Sequence, residues 1–278
     1  MAANGTLALT DGDDLPAVEV VREVVPYDGD DRVHFRTDHA SFPIGDGRVR
    51  VERSPAVARM RSPEPLTDDD LAHPWLSRAG AMFGHWSGRE VLHGGAFVQS
   101  GLAWAVLGDT EAGKSTLLAA LADRGREVLS DDVLVLDRGA VLAGARCVDL
   151  RPGTARAIGV TAARPARAGT RDRLDLPPTA AAAPLGGIVH LAWGDGPRAA
   201  RVAAERRIVL LRDRNWLGEL DSIDKRALLD LAALPTVELI RPRALGGVRD
   251  SAAALLDAIE DRPAAHPSSR PRSRSVAR

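Results

Sequence analysis

Cysteine is almost absent: Cys147 stands alone in 278 residues, so no intrachain disulfide can form and nothing points to an oxidising compartment. It lies in an apolar, strand-like stretch and is expected to act as a small buried hydrophobe. No run approaches the roughly 20 apolar residues of a membrane span. The N-terminal stretch also lacks the basic-then-apolar pattern of a secretion signal. A cytoplasmic location is the default expectation. An excess of either charge is missing too. The formal net charge is -1, and the arginines are dispersed among acids, which gives no footprint for nucleic acid. Lysine is nearly replaced by arginine, so any retained lysine carries information.

What is present is a 45% apolar chain of a length that suits one large domain, or one domain with an appendage. Lys114 sits in the stretch Gly108-Asp109-Thr110-Glu111-Ala112-Gly113-Lys114-Ser115-Thr116. An apolar run, Leu102 to Leu107, precedes it, and a helical pattern with Leu117, Leu118, Ala120 and Leu121 follows. Strand, glycine loop and helix in that order match G-x-x-x-x-G-K-[ST]. Glycines let the backbone bend around phosphate oxygens, so that loop amides and the helix N-terminus face negative charge. Lys114 would reach the β and γ phosphates, and Ser115 would offer its hydroxyl to Mg²⁺. An ordinary glycine turn between a strand and a helix would not need the lysine.

The second landmark is Asp131-Asp132, at the end of the strand-like Glu127 to Ser130 and 17 residues after Lys114. That interval holds one helix of about a dozen residues and a turn. Gly125 suits the end of the helix. Beside a phosphate cradle, one carboxylate can hold Mg²⁺ and the other can accept a proton from an incoming hydroxyl. Asp131 is provisionally the metal ligand and Asp132 the base, although the two roles can be exchanged.

Together with His93-Gly94 upstream and Arg124-Gly125 at the helix end, these residues resemble the catalytic domain of HPr kinase/phosphorylase and the wider HPr-kinase-like set. The match covers residues 90 to 155 well. The resemblance implies ATP-dependent phosphorylation of a serine hydroxyl, with His93 and the acidic pair near the transferred phosphate. By position, Asp149 would replace a metal-associated glutamate, and Arg151 an arginine near the phosphates. Glu111 departs from the pattern, standing where the family loop has its middle glycine. The implied fold is α/β: a P-loop-containing, PEP-carboxykinase-like kinase domain over residues 89–261, with a mixed sheet and flanking helices. The implied cofactors are ATP and Mg²⁺. The expected partner is a peptide serine or a small hydroxyl-bearing substrate in preference to HPr, with no nucleic acid or membrane, and a homo-oligomer is left open. An ATPase and a nucleotide-binding scaffold are the rival classes.

Elsewhere, residues 17–88 read as a small antiparallel sheet followed by one helix. A hairpin signal lies at Gly45-Asp46-Gly47, and Asp68 is the expected cap of a helix running to Trp86. His73, His85 and His190 read as surface or core histidines. Residues 152–184 read as a loop or lid, Gly187 to Trp193 as a central strand, and Asn215 to Leu220 and Ile223 to Leu234 as helices. A strand over Val237 to Ile240 and a helix over Asp250 to Glu260 close the pattern, with Arg241 and Arg243 just beyond that strand. Residues 1–16 and the Pro, Ser and Arg-rich tail 262–278 are expected to be disordered.

Overall fold

The computed structural model describes residues 5–7, 17–26, 29–167, 169–212, 214–216 and 223–261. The expected basic tail, most of the expected disordered start, and residues 217–220 of an expected helix lie outside the described residues. Strands β1 (Gly5–Leu7), β2 (Val18–Val24), β3 (His34–Phe35), β4 (His39–Ile44), β5 (Gly47–Glu52) and β6 (Val57–Ser62) form a six-stranded sheet. Residues 5–7 of the start are therefore a strand. The hairpin turns at Gly45-Asp46, where Ile44 pairs with Gly47. The sheet is not purely antiparallel as expected: β2 runs parallel to β6.

Alternating side chains such as Phe42, Ile44, Val49, Val51, Ala58 and Met60 put one face of this sheet into a core shared with the next helical segment. The N-cap of that segment is Thr67 and not the expected Asp68. The Thr67 hydroxyl accepts from the Asp70 amide at 3.1 Å, and the Asp70 carboxylate accepts back from the Thr67 amide at 3.3 Å. The segment is also not one helix. A short α1 (Asp68–Asp70) runs into a wide turn over Leu71–Trp75, and α2 (Leu76–Trp86) continues from it. His73 precedes Pro74, which disfavours helical dihedrals at the residue before it, and His73 is extended at φ -151, ψ 129.

Strands β7 (Glu90–His93), β8 (Gly95–Gln99) and β9 (Leu102–Gly108) lead into α3 (Lys114–Asp123). Then come β10 (Val128–Ser130), β11 (Val133–Asp137) and β12 (Ala140–Leu142). The stretch expected as a loop or lid is folded. β13 (Cys147–Leu150), α4 (Thr154–Ala157), β14 (Arg164–Ala166) and β15 (Arg171–Asp175) build a three-stranded sheet in the order β13-β15-β14. The chain ends in β16 (Ala182–Trp193), β17 (Arg198–Arg201), α5 (Ala204–Leu211), α6 (Lys225–Ala233), β18 (Thr236–Arg241) and α7 (Val248–Glu260). The sequence reading did not include β17 or α5.

The nine-stranded mixed sheet runs β10-β8-β9-β16-β12-β11-β7, with β18 and β17 added beside β16. The long β16 makes this possible: Ala182 to Pro184 pair with β12, and Ile188 to Trp193 pair with β18. β9, β16 and β18 are mutually parallel, so their C-terminal ends, Gly108, Trp193 and Arg241, fall on one edge. One face of the sheet is covered by α3, α7 and the three-stranded sheet around Leu117, Leu121, Val148 and Leu255. Leu211 and Leu231 pack on the other face. No helix among the described residues is long and apolar enough to cross a membrane.

The chain changes partner strand at Gly94, which lies against β9. A Cβ there would stand 2.6 Å from the Val106 carbonyl oxygen and 2.6 Å from Leu107 Cδ2. Gly94→Ala is accordingly expected to lower stability by about 1–3 kcal/mol, as overpacking does, read as a lower urea midpoint. An unchanged midpoint would contradict this close approach.

Candidate active site

Two residues with left-handed dihedrals shape the loop between β9 and α3: Glu111 at φ 65 and Gly113 at φ 84. At Gly113 the need for glycine is double, because a Cβ would overlap the guanidinium of Arg241 beneath the loop. Arg241 is buried and donates to the Ala112 and Gly113 carbonyls at 3.2 and 3.3 Å, with its guanidinium carbon 4.5 Å from the Trp193 ring centre. It is the last residue of β18, not a residue beyond it. The Glu111 side chain points outward, where it pairs with Arg151 in a solvent-exposed ion pair. Arg151 therefore reaches the loop through Glu111.

Lys114 begins α3, is buried, and donates from Nζ to the Gly108 and Asp109 carbonyls, each at 3.1 Å. Burial lowers its pKa, while Asp131 and Asp132 favour the charged ammonium. One residue on, Ser115 Oγ donates to Asp131 Oδ1 at 3.0 Å. The loop–helix unit and the acidic pair thus meet directly. The strand that ends before Asp131 is not next to β9: β10 pairs with β8, which lies between them.

The two carboxylates of the pair have different surroundings. Asp131 is buried, and desolvation together with the adjacent Asp132 charge pushes its pKa up to about 6. Asp132 has left-handed dihedrals, φ 69, and is more open, with 32% of its side chain exposed. Burial alone would raise its pKa too, but the charged His73 ring 3.5 Å away outweighs burial and holds it at about 2. His93 Nε2 stands 3.8 Å from Asp132 Oδ1, and burial followed by the charge of Lys114 lowers the histidine's pKa.

His73 is a buried histidine whose partners the sequence reading did not include. Its extended backbone carries the ring between two carboxylates, with Nε2 3.5 Å from Asp132 Oδ2 and Nδ1 3.1 Å from Asp149 Oδ2. Burial works against the charged ring, but the two carboxylates prevail and raise its pKa to about 9. Asp149 is engaged on its other side as well. Buried Arg173 donates to it through Nε at 2.6 Å and Nη2 at 2.8 Å, and these partners hold its pKa well below the usual carboxylate range against the effect of burial. The carboxylate that the resemblance assigned to the metal is thus committed to Arg173 and His73. Arg173 also donates to the Asp69 and His73 carbonyls at 2.6 and 3.1 Å. Asp69 and His73, Asp149 and Arg173 of the three-stranded sheet, and Asp132 therefore form one ionic network.

Gly108 to Thr116, Asp131, Asp132 and His93 lie in one cluster, and Cys147 is buried with its thiol pushed up to about 12 by desolvation. Sequence reasoning missed His73, Arg173 and Arg214. The first two lie 76 and 24 residues from Asp149, and no local pattern marks them. Among the described residues no group of three or more His, Cys, Asp or Glu is arranged to hold a metal ion. Mg²⁺ does not require one, because it typically binds through one or two carboxylates together with phosphates and water. A cavity of about 850 Å³ lies at the other end of β11, lined by Arg89, Asp137, Arg138 and Arg226 among others. Its charges oppose one another, with Arg89 3.2 Å from Asp137, and the chemistry-bearing cluster is at the loop.

No family model matches this chain, and no curated protein matches it. Among solved structures it is similar to the HPr(Ser) kinase/phosphatase from Coxiella burnetii, at 12% identity over 62% of this chain and 88% of that one, with a TM-score of 0.34. A likeness at that level leaves the assignment of the site to its own geometry.

The raised pKa of His73 has a consequence for stability. A folded value of about 9 against 6.5 in the unfolded chain means its contribution is fully present below pH 6.5 and is lost as pH rises through 9. Without added metal, the stability gap between the wild type and His73→Gln is expected to be widest below pH 6.5, on the order of 3 kcal/mol. It should close toward pH 10. A gap independent of pH in denaturant titrations would contradict the bridging imidazolium.

Proposed function

We propose that this site binds ATP with Mg²⁺ and transfers the γ-phosphoryl group to a hydroxyl, that of a peptide serine or of a small molecule. The observation that carries this reading is the Ser115–Asp131 hydrogen bond, which joins a phosphate-loop sequence to a pair of carboxylates. The N-terminal amides of α3, the Lys114 ammonium and the loop backbone offer donors and positive charge to phosphate oxygens. Ser115 and Asp131 are hard oxygen donors side by side, a set that fits Mg²⁺. When bound, the ion would supply charge neutralisation at the phosphates.

Asp132 takes the proton. Its carboxylate is the more open of the two, and a pKa near 2 keeps it ionised at physiological pH. The acceptor oxygen forms its bond to phosphorus while the bond to the β–γ bridging oxygen breaks, and ADP departs with that electron pair. The hydroxyl proton moves to Asp132 late, once bonding to phosphorus has made it acidic. A weak base suffices for such a step. Catalysis is then mostly positioning and charge stabilisation. His93 and His73 hold Asp132 from two sides.

With γ-labelled ATP, Mg²⁺ and serine-containing candidate peptides, label is expected on the peptide. Free phosphate alone would favour an ATPase, and nucleotide binding without either product a scaffold. Asp132→Asn is expected to slow transfer by about 10²–10⁴-fold while leaving ATP affinity nearly unchanged. Unimpaired transfer by that variant would remove Asp132 from the role of base.

A further inference from the structure

Resting on the reading of the loop as an ATP site, we propose that Arg214 contacts the terminal phosphate and is the residue by which the site distinguishes ATP from ADP. No motif marks this arginine, and it lies 105 residues beyond the loop residue that it meets. Backbone pairing brings it there. Residues 214–216 lie along the edge of β7 that β11 leaves open. The His93 amide donates to the Arg214 carbonyl at 3.0 Å, Leu92 bridges Asn215, and the Trp216 amide donates to the Val91 carbonyl at 2.9 Å. Trp216 anchors the segment against Phe42 of the N-terminal sheet, with ring centres 5.3 Å apart.

From this position, opposite His93, the side chain reaches back across the site. Its Nε donates to the Leu210 carbonyl at 3.0 Å, Nη1 donates to Asp109 Oδ1 at 2.7 Å, and Nη2 lies 3.4 Å from His190 Nε2. Asp109 is the loop residue whose carbonyl also receives Lys114 Nζ, so the guanidinium and the ammonium share one anchor residue. The Asp109 carboxylate is 84% exposed while Arg214 is only 16% exposed. An ion pair to so exposed a carboxylate contributes little to stability. It does not explain why a guanidinium is held by backbone, carbonyl and carboxylate contacts at the mouth of a phosphate loop. A planar guanidinium matches phosphate oxygens through paired N–H donors, and one fixed in advance loses little freedom on meeting them. His93 sets the backbone of residue 214 beside the acidic pair, since its amide meets the Arg214 carbonyl and its ring faces Asp132. The guanidinium, paired with Asp109, lies close enough to Lys114 and His93 to add its charge to the burial that lowers the pKa of both, whereas Arg241 supports the loop from beneath.

Equilibrium titration of the full chain with Mg·ATP and with Mg·ADP tests this. Arg214→Ala is expected to lose about tenfold or more in ATP affinity, with ADP affinity changed less than about twofold. Arg214→Lys, which keeps the charge without the fork, is expected to fall between the two for ATP. Thermal unfolding of both variants shows whether the fold is intact. Parallel loss of ATP and ADP affinity, or no loss of either, would overturn the role of Arg214 while leaving the ATP site standing. A wild type that binds neither nucleotide would overturn both.

Discussion

The hydrogen bond from Ser115 to Asp131 is the contact on which the site depends. It forms only because α3 crosses β8 on its way from the loop and β10 pairs with β8, which puts the second residue of the helix against the end of that strand. A buried carboxylate without a partner is costly, and here a hydroxyl meets it. The carboxylate next in sequence is turned the other way by left-handed backbone dihedrals and is stabilised by histidine. Adjacent acids thereby acquire opposite tendencies, Asp131 toward protonation and Asp132 toward ionisation. Environments that push the pKa values of a pair apart are how two identical side chains come to hold different roles.

The second constraint is longer in range. His73, brought out of the helical path by the proline that follows it, fills the space between Asp132 and Asp149, and Arg173 closes the far side. Charges buried this deeply are tolerable only when each has a partner, and removal of one leaves the others exposed to the low dielectric. The β-rich N-terminal region therefore contributes to the site. Its helical segment supplies the cation beside the acidic pair, and its sheet holds Trp216, which anchors residues 214–216 beside His93. The parallel ends of β9, β16 and β18 complete the arrangement by placing Trp193 and Arg241 under the loop.

What could be read from the sequence was whatever local geometry dictates. A loop that needs left-handed backbone announces itself through glycine, and a strand–loop–helix–strand unit of that length leaves few routes for the chain, so Lys114, Ser115, Asp131 and Asp132 stood out together. His73 and Arg173 did not, because their importance comes from contacts with Asp149 across 76 and 24 residues, which no local pattern shows. Arg214 was hidden for the same reason, since edge pairing with β7 leaves no periodic trace. The stretch 152–184 looked unstructured because its strands are short and rich in arginine, yet Leu174 and Leu176 bury into the main core. The parallel β2–β6 pair escaped notice because alternation reveals a strand's faces and not its neighbour's direction.

The central claim is that loop, ammonium and acidic pair face the same phosphate. An experimental structure of the chain with Mg²⁺ and a non-hydrolysable ATP analogue tests it most directly. The account predicts the terminal phosphate at Lys114, with its outer face open toward Asp132. An analogue bound elsewhere, for instance in the cavity beside Arg89, or one whose terminal phosphate points away from Asp132, would contradict it.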